Sequence, residues 1–320
     1  MRYNFDLGDI DTSELDNLFK NLKAKKKYFK LKNGNYLNLN NDNIKELENL
    51  VDDINLSNKD IKNGSGVIPK YRAIYLDSLK DKYSIIKTNS LFDEFINTFL
   101  KYKDTKLSLT KKDKEVLRDY QEVGVKWLYN IYKCGFGGIL ADEMGLGKSV
   151  QIIYLIKKLL KEDSNSKYLI VSPTSLVYNW ENEFKKFAPD IKYETFGDIK
   201  NIRHEKLEKD NPSVYITSYG LLREDYDYYK DIKFNVCIID EAQNIKNPNA
   251  GITKTVKSIN ANTKLALTGT PIENSALELW SIFDYVMDGF LGGEQEFGRK
   301  YNIKDFDEDT NKKLQNLNKL

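Results

Sequence analysis

Downstream of residue 134 the chain repeats one plan: a short apolar run, a small polar cluster, then a segment of helical periodicity. FGGILA leads to DEMGLGKS, YLIV to SPTS, VYI to TSYG, NVCII to DEAQ and KLAL to TGTP. Runs this short, apolar throughout and separated by helical segments, predict parallel strands buried on both faces and joined by crossover helices. Five such βα units predict an α/β fold with an open, mostly parallel sheet flanked by helices. Ligands of such sheets bind at the carboxyl ends of the strands, which is where all five polar clusters fall. The helix after the first cluster, SVQIIYLIKKLL, carries its apolar stripe at Ile152, Ile153, Ile156, Leu159 and Leu160.

The upstream pattern differs. In KKKYFKLKNGNYLNLN (25–40), Asn33-Gly34 separates two alternating segments and predicts a hairpin with positive φ at both turn positions. DNIKELENLVDDI (42–54) and LFDEFINTFLKY (91–102) predict helices, and IPKYRAIYLDSLKD (68–81) a strand or turn running into a helix. Together these give a smaller α+β domain over 1–108. LTKKDKEVLRDYQEVGVKWLYNIYKC (109–134) predicts a linker and then a helix with Val123, Trp127, Leu128 and Ile131 at helical spacing, opening a second domain over 109–320. The lysine run from Lys20 to Lys32 could touch nucleic acid, but it reads better as a solvated face, as charge runs usually are.

Composition narrows the classes. Lys plus Arg number 50 against 48 Asp plus Glu, a net charge of +2, so overall charge does not mark a polyanion binder. Cys134 and Cys237 stand far apart among apolar residues and read as buried reduced thiols. The single histidine, His204, excludes a zinc site built on histidines, and its setting, IRHEKLEK, reads as a solvated helix. MRYNFDLGDID is no signal peptide, and no run approaches the ~20 apolar residues of a membrane span. A soluble, cytoplasmic chain without a membrane partner is the expectation.

Two clusters carry chemistry. ADEMGLGKS ends as a phosphate-binding loop ends, although the pattern G-x-x-x-x-G-K-[ST] asks for glycine where Asp142 stands. That position lies at the strand end, where a larger residue fits if its φ is ordinary. Met144, Gly145, Leu146 and Gly147 would wrap the phosphates, Lys148 would reach the β- and γ-phosphates, and the Ser149 hydroxyl would ligate Mg2+ at a helix N-terminus that favours anions. In VCIIDEAQNIKNP, Asp240 at a strand tip would hold Mg2+ with Ser149, and Glu241 would orient and deprotonate the attacking water. Lys148, Asp240 and Glu241 are therefore the candidate catalytic residues.

The order LRDYQEVGVKWL, GGILADEMGLGKS, LIVSPTSLVYNW, YITSYGLL, IIDEAQNIKNP, LALTGTPIEN, LWSIFDYVMDGFLG resembles the Swi/Snf-type ATPases of helicase superfamily two, over about 110 to 300. DEMGLGK, with aspartate at 142, is that family's form of the loop. The resemblance implies a RecA-like P-loop lobe of a DNA-dependent ATPase, using ATP and Mg2+ to translocate along or remodel double-stranded DNA. It implies that Gln121 contacts adenine, and that Thr268, Gly269 and Thr270 couple nucleotide to DNA. Gln243, where the family often has histidine, would hydrogen-bond between sites. Thr174, Ser175, Trp180, Thr217 and Ser218 would line or support the DNA track. YFKLKNGNYLNL through PKYRAIYLDSL resembles the helicase-associated domain upstream of the motor in bacterial members, which implies a nucleoid-associated bacterial protein. The family's motor has a second RecA-like lobe with arginine fingers. No such motif stands in this sequence, since Arg118 belongs to the adenine-side motif. The expectation is the N-terminal part of a translocase, half an active site that binds ATP-Mg2+ and the DNA backbone with little turnover. The alternative is a switch module that binds nucleotide or DNA without hydrolysis.

Overall fold

The computed structural model describes residues 1–4, 10–54, 58–67, 71–103, 110–209, 211–269 and 276–300. The chain divides into two compact units, Met1–Lys101 and Tyr102–Leu320.

The second unit is built on a six-stranded sheet: β1 (Gly138–Leu140), β2 (Tyr168–Ser172), β3 (Tyr193–Thr195), β4 (Val214–Ser218), β5 (Phe234–Ile239) and β6 (Ala261–Leu267). Its order is β1-β6-β5-β2-β4-β3, and every neighbouring pair is parallel. Five of these strands are the apolar runs read from the sequence. The sixth, β3, is the three-residue edge strand YET, whose charged centre hides it from an apolar-run criterion. Alternation along the strands splits the core in two. Ile170, Ile216, Ile238 and Leu265 face helices α1 (Asp119–Cys134), α2 (Lys148–Glu162) and α3 (Val177–Phe187). Leu169, Tyr215, Cys237 and Ile239 face the opposite layer, which includes α4 (Lys200–Lys209), α5 (Tyr219–Glu224), α6 (Gly251–Ser258) and α7 (Ala276–Val286). A strand covered on both faces must be apolar at every position, which is why these runs lack alternation. The α2 stripe is buried at Ile152, Ile153, Ile156 and Leu159, with Leu160 partly buried.

Three local expectations are corrected. The linker contains a helix, Lys111–Val116, whose capping box pairs Thr110 with Asp113. On α1 the buried face is Gln121, Val125, Leu128 and Tyr129, while Val123 is 64% exposed. Trp127 and Ile131 instead lean over β1, where a Cβ on Gly138 would lie 2.5 Å from Ile131 Cδ1 and 3.0 Å from the Trp127 ring. His204, on a largely exposed helix, is itself partly buried and partnered: its Nε2 lies 2.7 Å from Oδ1 of the buried Asp225, and its ring packs on Tyr228. The Arg203 guanidinium bonds the same Asp225 and donates to the Asp198 carbonyl and to Glu224, so these side chains tie α4 to the end of α5. Both cysteines are free thiols; Cys237 is buried and Cys134 partly so, and burial pushes each up to about 11.

In the first unit, helix Leu15–Lys23 packs Leu15, Leu18 and Leu22 against Leu39, Val51 and Ile61. Helices follow over Asp42–Asp53, Asn58–Asn63, Arg72–Leu79 and Ser90–Lys103, and Arg2–Asn4 pairs antiparallel with Ser65–Val67. The hairpin joins Tyr28–Lys30 to Tyr36–Asn38. Its turn is not the two-residue kind. Gly34 N–H donates to Leu31 O, Leu31 N–H to Asn35 O, and only Gly34 has positive φ, at 90°. This is a type I turn closed by a glycine bulge, with Asn33 accepting from Asn35 N–H through its side chain.

Lys25 occupies the left-handed position just past helix Leu15–Lys23, at φ 53°. Its N–H reaches Leu22 O and that of Lys26 reaches Asn21 O, the two bonds of a Schellman ending. Glycine takes this position without steric cost and lysine does not. Lys25→Gly is expected to stabilise the first unit by roughly 0.5–1 kcal/mol, read from urea denaturation.

Candidate nucleotide site

The loop between β1 and α2 turns on two left-handed glycines, Gly145 (φ 83°) and Gly147 (φ 74°). Gly147 has a second constraint: a Cβ there would lie 2.5 Å from Gln121 Nε2. Asp142 is not among the positive-φ residues, so the missing first glycine costs the loop nothing. The Asp142 carboxylate has a structural partner, accepting from Gln151 Nε2 at 2.7 Å. Gln151 is fully buried, and its Oε1 has no hydrogen-bond partner among the described residues. Gly124 of α1 makes room for that oxygen, since a Cβ there would sit 1.8 Å from it. Gly124→Ala is therefore expected to dislodge Gln151 from Asp142 and destabilise the second unit by about 1–3 kcal/mol, seen in thermal denaturation.

The start of α1 grips the same loop. Gln121 Nε2 and Tyr120 Oη both donate to Leu146 O, at 3.0 and 2.9 Å, and Gln121 Oε1 accepts from Arg118 N–H at 3.0 Å. Lys148 Nζ folds over the loop carbonyls of Asp142 and Glu143, at 2.7 and 3.2 Å. Ser149 stands partly buried in the first turn of α2, and Met144 is exposed at the loop's tip.

Asp240 follows β5 and is only 8% exposed. Its N–H continues the sheet onto Val171 O at 2.8 Å. Both carboxylate oxygens are occupied: Oδ1 accepts from Glu241 N–H and Oδ2 from the Trp180 indole N–H, each at 2.9 Å. Tyr219 Oη donates to the Asp240 carbonyl at 2.8 Å. Burial pushes the carboxyl above the usual range, and the neighbouring Glu241 charge adds to that. The Trp180 and Glu241 N–H groups and the Lys148 charge oppose it. Glu241 itself sits at φ 50°, a left-handed conformation a non-glycine residue rarely adopts. Gln243 Nε2 donates to Glu241 Oε2 at 2.7 Å, and Thr268 Oγ1 donates to Gln243 Oε1 at 3.3 Å. Thr268 is set at the tip of β6 by its N–H bond to Leu140 O, and a Cβ on Gly269 would lie 3.2 Å from Met144 Cγ. Glu241, Gln243 and Thr268 thus form one chain that returns to the phosphate loop; Thr270 lies outside the described residues.

The five residues expected to line or support a DNA track divide. Thr174 and Ser175 are exposed in the short turn before α3. Trp180 is 2% exposed and faces Asp240; Thr217 Oγ1 points to Phe196 O, and Ser218 Oγ caps α5 by accepting from Leu221 N–H. Those three have no surface for direct contact with a strand. Two further residues, Gln151 and Tyr120, shape the site without standing out in the sequence, and a glutamine inside an apolar stripe is the readable signal for Gln151. Tyr219, in the YITSYGLL motif that the resemblance sets at the DNA track, is buried and holds the Asp240 carbonyl.

Among the described residues no cluster of three or more His, Cys, Asp or Glu side chains could cage a metal. One carboxylate and one hydroxyl suit Mg2+, which keeps waters and takes substrate phosphate oxygens rather than a full protein shell. The donors present fit that ion.

A parallel sheet with a glycine loop at one strand tip and an acid pair at another, its aspartate buried, defines a RecA-like P-loop lobe. Residues 120–320 match the SNF2-related domain, residues 2–109 match the bacterial SNF2 helicase-associated domain, and the chain belongs to the SNF2 family. It is 42% identical over 259 residues to an uncharacterised ATP-dependent helicase of Mycoplasma pneumoniae, covering 79% of this chain and 25% of that protein. It is 35% identical over 322 residues to another from Mycoplasma genitalium, covering 98% of this chain and 30% of that one. The SWI2/SNF2 ATPase core of Sulfolobus solfataricus, solved in complex with double-stranded DNA, superposes with a TM-score of 0.60 at 37% identity, over 67% of this chain and 45% of that chain. The chain thus spans under a third of those two relatives and under half of the solved core.

Proposed function

We propose that these residues form the nucleotide-holding face, with an accessory unit, of an ATP-driven translocase on double-stranded DNA. The observation that carries this reading is the convergence at the strand tips: the Lys148 loop, the Asp240–Glu241 pair with its aspartate buried, and the Gln243–Thr268 link between them. Lys148, now on loop carbonyls, would exchange those acceptors for phosphate oxygens. Gly145 and Gly147 would let backbone N–H groups of the loop face the same phosphates. Ser149 and Asp240 would hold Mg2+, which neutralises phosphate charge when bound. Glu241, anchored through Gln243, would take the proton of the attacking water. Thr174 and Ser175, exposed beside this site, would meet the DNA backbone, so binding should fall with salt and show little sequence preference. The Sulfolobus likeness supports duplex DNA as the partner. A DNA partner in turn supports a nucleoid location, and no helix among the described residues is long and apolar enough to cross a membrane.

Cationic groups of a second RecA-like lobe would complete the phosphate cage; such groups contribute about 10³–10⁵ in rate in related nucleotidases. The test is binding of a fluorescent ATP analogue and ATP turnover, each with and without duplex DNA. The 320-residue chain should bind nucleotide weakly, lose that binding in Lys148→Ala, and turn over little. Absence of nucleotide binding would refute the reading. Fast DNA-stimulated turnover by this chain alone would refute the need for a second lobe. Binding without turnover in a form carrying both lobes would favour a non-hydrolysing switch.

A further inference from the structure

The hairpin of the first unit has two unlike faces. Phe29 and Leu37 point inward onto the core formed with helix Leu15–Lys23. The outward positions are Tyr28, Lys30, Tyr36 and Asn38, with Tyr28 60% and Tyr36 69% exposed. Register pairs Lys30 with Tyr36 and Tyr28 with Asn38, so the two rings are diagonal neighbours on one face, with Lys30 Nζ 5.9 Å from the centre of Tyr36. Rings this exposed add little to the core.

The charge around them is one-sided. Seven lysines fall between Lys20 and Lys32, and all are exposed. Lys20 pairs with Asp16, and Lys32 reaches Ser13 Oγ and lies beside Asp11. Lys23, Lys25, Lys26, Lys27 and Lys30 have no carboxylate partner among the described residues. In a chain of net charge +2 this is a local concentration of cations, and like charges so crowded repel unless a polyanion spreads over them. Lys25 also holds the left-handed position at which glycine would be easier, so charge is kept there against backbone preference.

We propose that this face binds single-stranded nucleic acid, with lysines on the phosphates and unpaired bases stacked on Tyr28 and Tyr36. A duplex would use the lysines but hide its base faces from the rings. A membrane surface would favour outward aliphatic or tryptophan side chains; the hairpin turns phenols and asparagines outward instead. Stacking on aromatic rings along a cationic track is how sequence-tolerant single-strand binding is built.

The test uses the whole 320-residue chain and fluorescence anisotropy with short labelled oligothymidine, oligouridine and a duplex of equal length, beside flotation with phosphatidylcholine–phosphatidylserine vesicles. Single strands should bind, and the double variant Tyr28→Ala with Tyr36→Ala should weaken them about tenfold or more while leaving duplex binding unchanged. Lys26→Gln with Lys27→Gln should weaken binding and lower the salt slope by about 0.7 for each phosphate no longer neutralised. The ratio of oligouridine to oligothymidine affinity assigns RNA or DNA. All four positions are exposed, and melting curves should confirm an intact fold. Single-strand affinity unmoved by the tyrosine variant would overturn the proposal, as would equal losses on duplex. Vesicle binding that falls in these variants while oligonucleotide binding does not would overturn it in favour of a membrane.

Discussion

Glu241→Gln is expected to lower turnover by about 10²–10⁴-fold in any form of this protein that hydrolyses ATP, with nucleotide affinity and melting temperature nearly unchanged. The substitution keeps the side chain's shape and the backbone N–H that bonds Asp240 Oδ1. A glutamine carbonyl can still accept from Gln243 Nε2, so the link toward Thr268 survives. What disappears is the carboxylate proposed to accept the proton of the attacking water. The companion change, Glu241→Gly, separates function from fold. Glycine relieves the left-handed backbone at φ 50° and should raise stability by roughly 1 kcal/mol, while turnover falls as far as in the glutamine variant. Stability and activity moving in opposite directions would mark the conformation as one held for chemistry. Turnover retained in Glu241→Gln would remove Glu241 from the role of base.

The parts legible in the sequence share one property: their signal is local. A strand buried on both faces must be apolar throughout, so five of the six strands stand out, while the edge strand at Tyr193–Thr195 carries a glutamate and does not. The phosphate loop is read from glycines whose φ the turn requires, Gly145 and Gly147. Contacts across strands leave no such mark. The hydrogen bond from Trp180 to Asp240 joins residues 60 apart, and that from Tyr219 to Asp240 spans 21. Nothing in NVCIIDEAQ reveals that Glu241 has positive φ. The orientation of α1 escapes the sequence because apolar spacing favours the Val123–Trp127 face, whereas the buried face is led by the polar Gln121, held inside by its bonds to Arg118 N–H and Leu146 O. His204 escapes for a related reason, since its partner Asp225 lies on another element.

Strand order gives these long-range contacts a common logic. β5, which leads to Asp240, lies between β6, which leads to Thr268, and β2, which leads to Thr174 and Ser175. The acid pair is therefore flanked by the segment that returns to the phosphate loop and by the segment with the exposed hydroxyls. Trp180, in the first turn of α3 beyond Ser175, reaches back beneath β5 to hold Asp240 Oδ2. A shift of α3 under load at Thr174 or Ser175 would change the geometry of the carboxylate that is proposed to hold Mg2+.

Trp180→Phe tests that arrangement. Phenylalanine keeps most of the ring's packing and deletes the N–H, so Asp240 loses a charge-assisted bond of about 1.5–3 kcal/mol in a site where burial already favours the neutral acid. The carboxyl is raised by burial and held back in part by that N–H, so removing it raises the carboxyl further. A metal takes the ionised form. Mg2+-dependent nucleotide binding should therefore fall off as pH drops through the raised value, and the variant's fall-off should begin at higher pH. At the acid end of that fall-off the Mg2+ half-saturation should be weaker in the variant, and the gap should narrow as pH rises. Stability carries the matching sign. A raised folded-state carboxyl favours folding most below its unfolded value of 3.8 and loses that advantage as pH rises through the folded value. The variant should thus lose more stability at pH 7 than at pH 4. Nucleotide binding in EDTA should be the same in both proteins, because the indole N–H bonds Asp240 and not the phosphate loop. Equal weakening with and without Mg2+, or a pH profile that does not move, would reduce Trp180 to a packing residue.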